Sequence, residues 1–158
     1  MNQHILFPLM RISYWMIEYR LVTANHITSM LELWKTSGLP IREGGRESRN
    51  NLELELKENP RGFIGAWDGD SFIGVVIATS DGRKGWINRL VIAPSYRRKG
   101  IGTELIRLAE KELKSRGINI ISALIEKGAD SSFALFRKAG YQICDDIIYL
   151  RKELIKGA

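Results

Sequence analysis

The chain has one cysteine in 158 residues, two histidines and four prolines. Cys144 alone excludes an internal disulfide, and with only His4 and His26 beside it there is no spacing for a zinc site, so no metal is expected. Such a lone thiol reads as a small buried apolar side chain, and a chain without disulfides suits a reducing, cytoplasmic setting. Long hydrophobic runs are missing too. Residues 1–15, MNQHILFPLMRISYW, are apolar but broken by Pro8, and fall short of the roughly 20 apolar residues that cross a bilayer. They carry no charged leading region or small-residue cleavage site, so they do not read as a signal peptide, and no membrane partner is expected. Met16 precedes a natural first strand. Residues 1–15 are therefore expected to be an extension, or a start assigned too early, ahead of a single domain over 16–158. No internal repeat, low-complexity tract or linker divides that domain. Nucleic acid is not expected as a partner, because no helix-turn-helix or interleaving of aromatic and basic residues is present.

What is present is the composition of a soluble globular domain, 44% hydrophobic and 27% charged, on a chain long enough for a real core. A formal charge of +6 and an isoelectric point near 9.6 suit an anionic ligand. Residues 18–22 alternate as a strand does. Thr23 or Asn25 can cap a helix to about Thr36, with Ile27, Met30, Leu31 and Trp34 on one face. A polar stretch with Gly44-Gly45 leads to a second helix over 48–58, closed by Asn59-Pro60. Strands follow at 62–67 and 72–79 around Asp68-Gly69, a strong hairpin signal, and at 86–92 after Ser80-Asp81-Gly82. A helix over 101–116 carries Ile101, Leu105, Leu108, Ala109 and Leu113 along one stripe, and Gly117 ends it. The β-branched run 119–125 should lie parallel to 86–92 through that helical crossover. A short helix from Asp130 or Ser131 to Lys138 stops at Gly140, and 141–144 with 147–151 read as a closing hairpin. The order is β-α-α-β-β-β-α-β-α-β-β.

The chemistry-bearing stretch is Arg97-Arg98-Lys99-Gly100-Ile101-Gly102-Thr103, set between the strand ending at Ile92 and the long helix. A helix that starts directly after glycine-rich backbone directs free N–H groups and the positive end of its dipole into the loop. A basic run there makes a seat for a multiply charged phosphate. Gly100 and Gly102 let backbone N–H groups approach a pyrophosphate, the three basic side chains supply counter-charge, and the Thr103 hydroxyl sits in the first helical turn. There is no G-x-x-x-x-G-K-[ST] run, and G-x-G-x-x-G does not follow the first strand, so other nucleotide motifs are disfavoured.

The pattern Arg97-x-x-Gly100-x-Gly102 resembles the acyl-CoA-binding motif of the GNAT superfamily of N-acetyltransferases, Gln/Arg-x-x-Gly-x-Gly/Ala. Leu90-Val91-Ile92-x-Pro94-x-Tyr96 precedes it at the family's spacing. Ala134-Leu135-Phe136-x-Lys138-x-Gly140-Tyr141 resembles the family's later Ala-Leu-Tyr-x-x-x-Gly-Phe/Tyr segment. The resemblance covers about Met16 to Glu153. It implies an α/β (α+β) fold: a mixed, mostly antiparallel sheet of six to seven strands flanked by about four helices, splayed between 86–92 and 119–125. It further implies acetyl-CoA as cosubstrate, held by the backbone of Leu90, Val91 and Ile92 and by Arg97, Arg98, Lys99, Gly100, Ile101, Gly102 and Thr103. The expected reaction is direct attack of a primary amine, on a small molecule or a protein N-terminus, in a ternary complex. A homodimer fits the family.

The chain departs from the family at two positions. Phe136 stands where many relatives have a Tyr that protonates the leaving thiolate, and Ala129 where relatives often have an Asn bonding the pantetheine arm. These departures motivate a rival reading, a CoA-binding regulator with weak or no catalysis. No acid lies in 86–92, and Leu124 fills the other common place for a base; Glu126, Glu43 and Glu47 remain as carboxylates to test and Tyr96 as a possible acid, and no catalytic side chain is assigned. A thiolate is already a good leaving group, so positioning and carbonyl polarisation can carry the reaction. The acceptor is expected over 38–49, where Glu43 or Glu47 could attract an ammonium and Gly44-Gly45 suggests a mobile lid.

Overall fold

The structure, a computed structural model, describes residues 10–12 and 15–155. Six strands form one sheet in sequential order: β1 (Met10–Ile12), β2 (Trp15–Leu21), β3 (Phe63–Asp68), β4 (Ser71–Ser80), β5 (Gly85–Ile92) and β6 (Ile121–Ala123). All neighbours are antiparallel except β5 and β6, which run parallel across a helical crossover. Four helices cover it: α1 (Ile27–Thr36), α2 (Arg49–Glu58), α3 (Ile101–Ser115) and α4 (Asp130–Lys138). The expected mixed, mostly antiparallel sheet is borne out. Of the stretch 1–15, only Met10–Ile12 and Trp15 are described; the first three extend the sheet by an edge strand on β2. The remainder of that stretch lies outside the described residues.

Two cores sandwich the sheet. On one face Ile27, Met30, Leu33 and Trp34 of α1 and Leu52 and Leu56 of α2 pack on Phe63, Trp67, Val75, Ile77 and Val91. On the other, Ile101, Leu105, Leu108, Ala109 and Leu113 of α3 pack on Ile64, Ala66, Ile73, Val76 and Ile87, with Phe136 of α4. Each fully buried aliphatic or aromatic side chain contributes roughly 1.5–3 kcal/mol relative to exposure, so these stripes fix which face each helix takes.

The helix ends follow from the residues that close them. Thr23 and His26 form a capping box before α1, and the Ser48 hydroxyl accepts from the Asn51 N–H at the start of α2. Beyond α3, Gly117 and Ile118 donate to the carbonyls of Lys114 and Leu113, the paired bonds of a Schellman motif. The same motif ends α4, where Gly140 and Tyr141 donate to Arg137 and Phe136. There the Tyr141 ring meets the Phe136 ring edge-to-face at 5.0 Å, the hydrophobic contact that accompanies this cap.

Two expectations need correction. The closing hairpin is not formed as strands: residues 141–151 keep a turn at Asp145-Asp146 but make no ladder. Alternating β-branched residues make a strand only when an edge pairs with them, and β6, three residues long, pairs among the described residues with β5 alone. Ile143, Ile147, Ile148, Tyr149 and Leu150 therefore remain exposed. Cys144 is also exposed, not buried.

Candidate acetyl-CoA site

β5 is where the sheet opens. Val75 pairs with Val91 and Ile77 with Asn88, so Arg89 and Leu90 together oppose Val76. This is a β-bulge, and Arg89 sits in it at φ +50, the left-handed conformation usually given to glycine in such bulges. A bulge bends and twists the strand that carries it. The parallel pairing with β6 ends at Ile87 and Ala123, immediately before it, and residues 88–92 take no part in that pairing. The bulge thus falls where the family resemblance implies a splay.

Leu90 and Ile92 turn towards the α3 core, and Val91 is buried against α1. Past Ile92, the Ala93 N–H donates to Ile73 at 2.8 Å, and Pro94–Tyr96 makes one 3-10 turn. Arg98 then takes φ +61 and Gly100 φ +81. Gly100 is the N-cap of α3 and supplies no side-chain cap. The first-turn N–H groups at Ile101, Gly102 and Thr103 therefore point out of the helix end, at the positive pole of its dipole.

Around that helix end the predicted residues divide. Arg98, Lys99 and Thr103 are exposed on the loop and first turn; the Lys99 ammonium lies 5.1 Å over the Tyr96 ring. The Ile101 side chain is in the core, leaving its backbone to the site. A Cβ on Gly102 would meet Leu135 Cδ2 of α4 at 2.8 Å, so this glycine also serves the docking of α4. Arg97 turns the other way: its guanidinium donates to the carbonyls of Ile92 at 3.2 Å and Ser37 at 3.4 Å. Glu104, the acid of the first turn, is held by Arg107 at 2.6 Å, which offsets its repulsion of an anion. A pyrophosphate fits this arrangement: uncapped N–H groups at a left-handed glycine, flanked by exposed cationic side chains.

The acid–base candidates are dispersed. The Tyr96 hydroxyl donates to Asp68 at 2.7 Å, and that bond raises its pKa above the ordinary tyrosine value. Glu43 pairs with Lys35 at 2.7 Å. Glu126 is exposed beyond the end of β6. Glu47 is 3% exposed and already accepts three bonds: one carboxylate oxygen accepts from the Arg42 N–H at 2.8 Å, the other from Arg46 Nε at 2.7 Å and from Arg89. Its charge is already matched by Arg46 and Arg89. Its bonds, with those of Gly45 to Arg42, Ser48 and Asn51, give the α1–α2 connection a fixed form rather than that of a loose lid. Beside it a cleft of about 340 Å³ opens between α1 and the connection, lined by Thr28, Leu31, Glu32, Lys35, Glu43, Glu47 and Arg49.

Sequence reasoning missed Arg89. The one available signal was a charged residue amid the apolar run of 85–92, a position that a half-buried strand gives up only for a reason. Asp68 carries only a turn signal in the sequence, and its bond to Tyr96 joins positions 28 apart in the chain.

The acetyltransferase (GNAT) family model matches residues 27–141, well over half of the sequence, and the chain belongs to that family. An acetyltransferase of Sodalis glossinidius is 26% identical over 140 residues, covering 89% of this chain and 97% of its own length. One from Pectobacterium atrosepticum is likewise 26% identical over 140 residues, at the same coverages. Among solved structures, the PaiA N-acetyltransferase of Thermoplasma acidophilum in complex with coenzyme A superposes with a TM-score of 0.73 at 23% identity, over 82% of this chain and 91% of that one. A predicted acetyltransferase of Clostridium acetobutylicum with acetyl-CoA gives 0.71 at 20% identity, over 86% and 96%. Among the described residues no group of His, Cys, Asp and Glu is placed to hold a metal, and no helix is long and apolar enough to cross a membrane.

Proposed function

We propose that the protein is an acetyl-CoA-dependent N-acetyltransferase whose amine acceptor enters from the α1–α2 side. The observation that carries this reading is the α3 N-terminus: uncapped, opened by Gly100 in the left-handed conformation, and preceded by Arg98 and Lys99. The pyrophosphate is held by the N–H groups of Ile101, Gly102 and Thr103 and by the two cations. Backbone of Leu90, Val91 and Ile92 lines the acyl arm. Arg97 contributes through its backbone while its side chain braces Ile92 and Ser37.

A neutral primary amine attacks the thioester carbonyl, the C–S bond breaks, coenzyme A leaves as thiolate, and the ammonium proton passes to water or the thiolate. No side chain is assigned as general base, because each candidate is either paired or remote from the opened strand. Positioning of the two reactants and polarisation of the carbonyl by backbone then supply the rate. The cytoplasm, where acetyl-CoA is made and consumed, is the proposed location, and 16–158 the catalytic unit.

Thermal denaturation with acetyl-CoA, coenzyme A and duplex DNA, followed by thiol release against 1,4-diaminobutane, lysine and a peptide with a free N-terminus, tests the reading. Stabilisation by both CoA species with amine-dependent thiol release is expected. Stabilisation by DNA alone would reject it. A regulatory CoA-binding role is the second reading, favoured by the aromatic packing of Phe136 where a hydroxyl donor would stand; stabilisation without thiol release would select it. The exposed apolar side chains of 143–150 and the open edge of β6 support a homodimer, which light scattering would detect.

A further inference from the structure

Outside the glycine loop, Arg89 and the buried Glu47 join β5 to the α1–α2 connection. Arg89 is the bulge residue of β5, directly before Leu90, and its side chain is 20% exposed. One guanidinium nitrogen donates to the Pro40 carbonyl at 2.9 Å and another to Glu47, while the charge lies 5.4 Å over the Trp34 ring. Three separate points of the acceptor side, the end of α1, residue 40 and residue 47, are therefore tied to one strand position. Glu47 in turn orders residues 42 and 46. A left-handed backbone on a long β-strand residue is unfavourable, and it persists only where the surroundings hold it. Here the holding contacts are those to the acceptor wall. Asn88, the neighbouring residue, bonds only within the sheet, to Thr79.

We propose that Arg89 is a positioning residue that sets the α1–α2 connection, and with it the acceptor amine, at a fixed distance from the thioester held on Leu90–Ile92, with Glu47 as its buried counter-charge. This rests on the acetyltransferase reading above. Arg89 touches neither reactant; it acts through Pro40 and Glu47 on one side and through the bulge on the other. Its contacts all lie on the α1 face, whereas the phosphate seat is built from the α3 N-terminus, so loss of Arg89 should separate the two substrates kinetically.

The test compares wild type with Arg89→Gly, which suits the backbone angle but lacks the guanidinium, Arg89→Lys and Glu47→Gln. Acetyl-CoA affinity is read by calorimetry, amine kinetics with the three amines named above, and loop order by hydrogen exchange of the Arg42 amide. Expected in Arg89→Gly and Glu47→Gln are acetyl-CoA affinity within threefold of wild type, an amine KM raised at least tenfold, and Arg42 exchange at least tenfold faster. Arg89→Lys should recover part of the KM change, since a single ammonium can reach only one of the two acceptors. Faster exchange with unchanged amine KM overturns the inference and leaves the acetyltransferase reading standing. So does a uniform loss of activity and melting temperature with both KM values unchanged, the mark of a purely structural pair. Should Arg89→Gly fail to fold, Glu47→Gln alone decides by the same readouts. Wild-type protein that releases no thiol with any amine overturns both.

Discussion

The hydroxyl of Tyr96 donates to the carboxylate of Asp68 at 2.7 Å, joining the 3-10 turn ahead of the glycine loop to the far end of β3. That bond is the leading reason the phenol titrates above its ordinary range, followed by burial and the Asp68 charge. A phenol so held keeps its proton and is a brace rather than an acid.

Replacing Tyr96 with Phe should therefore weaken acetyl-CoA binding about three- to tenfold by loosening the loop, and change kcat less than tenfold. The alkaline limb of the pH–rate profile should stay where it is. A hundredfold fall in kcat with folding intact would instead make Tyr96 the proton donor to the thiolate.

His26 links the start of α1 to pH. Its Nδ1 accepts from the Thr23 N–H at 3.0 Å, a bond that requires that nitrogen unprotonated, and burial, then Arg20, lower its pKa from the ordinary value of about 6.5. A base whose folded pKa is depressed binds protons better unfolded. Its contribution to stability is present above about pH 6.5 and is lost as pH falls towards the folded pKa. Melting temperature should drop between pH 7.5 and pH 5. His26→Gln keeps a side-chain acceptor for Thr23 and should flatten that part of the profile. An unchanged slope in the variant would remove His26 from the account.

The two loop glycines should behave differently. Gly100→Ala places a Cβ at φ +81, costing about 1–2 kcal/mol, and should weaken acetyl-CoA because the uncapped N–H groups shift. Gly102→Ala meets only the tip of Leu135, a flexible side chain, at 2.8 Å. It should cost no more than about 1–3 kcal/mol of overpacking, and Leu135→Ala in the same chain should relieve it. Chemical denaturation of the single and double variants measures the coupling.

Glu112 is 8% exposed at the far end of α3 and accepts from both Arg61 and Arg116, at 2.9 to 3.1 Å. Glu112→Ala should destabilise by about 1–3 kcal/mol, the range for lost bonds to charged groups, with acetyl-CoA affinity unchanged. Eleven residues of helix, about 17 Å, separate Glu112 from Ile101 at the glycine loop. Altered cofactor affinity in this variant would contradict that separation.

Much of the cofactor end was legible before any coordinates. Glycines, a basic run and an amphipathic helix are local signals, and the strand–loop–helix they describe is formed within residues 85–115. The splay was expected only through resemblance to a family; the bulge at Arg89 depends on how Val75 and Ile77 register against β5, and its one local trace is a charged residue in an apolar run. The acceptor side was read least well. Glu43 and Glu47 are both acids in a polar loop, yet one pairs with Lys35 on the surface and the other is buried under Arg89, 42 residues away in sequence. Likewise, the run 141–151 has strand composition, but pairing is a property of the edge it meets.

The central claim, that the α3 N-terminus and its basic loop hold the pyrophosphate, is tested most directly by calorimetric titration of acetyl-CoA into wild type and an Arg98→Ala/Lys99→Ala/Gly100→Val variant, at two salt concentrations. The account predicts at least a thirtyfold weaker Kd for the variant, with a shallower salt dependence, while circular dichroism shows the fold retained. An unchanged Kd would place the cofactor elsewhere and contradict it.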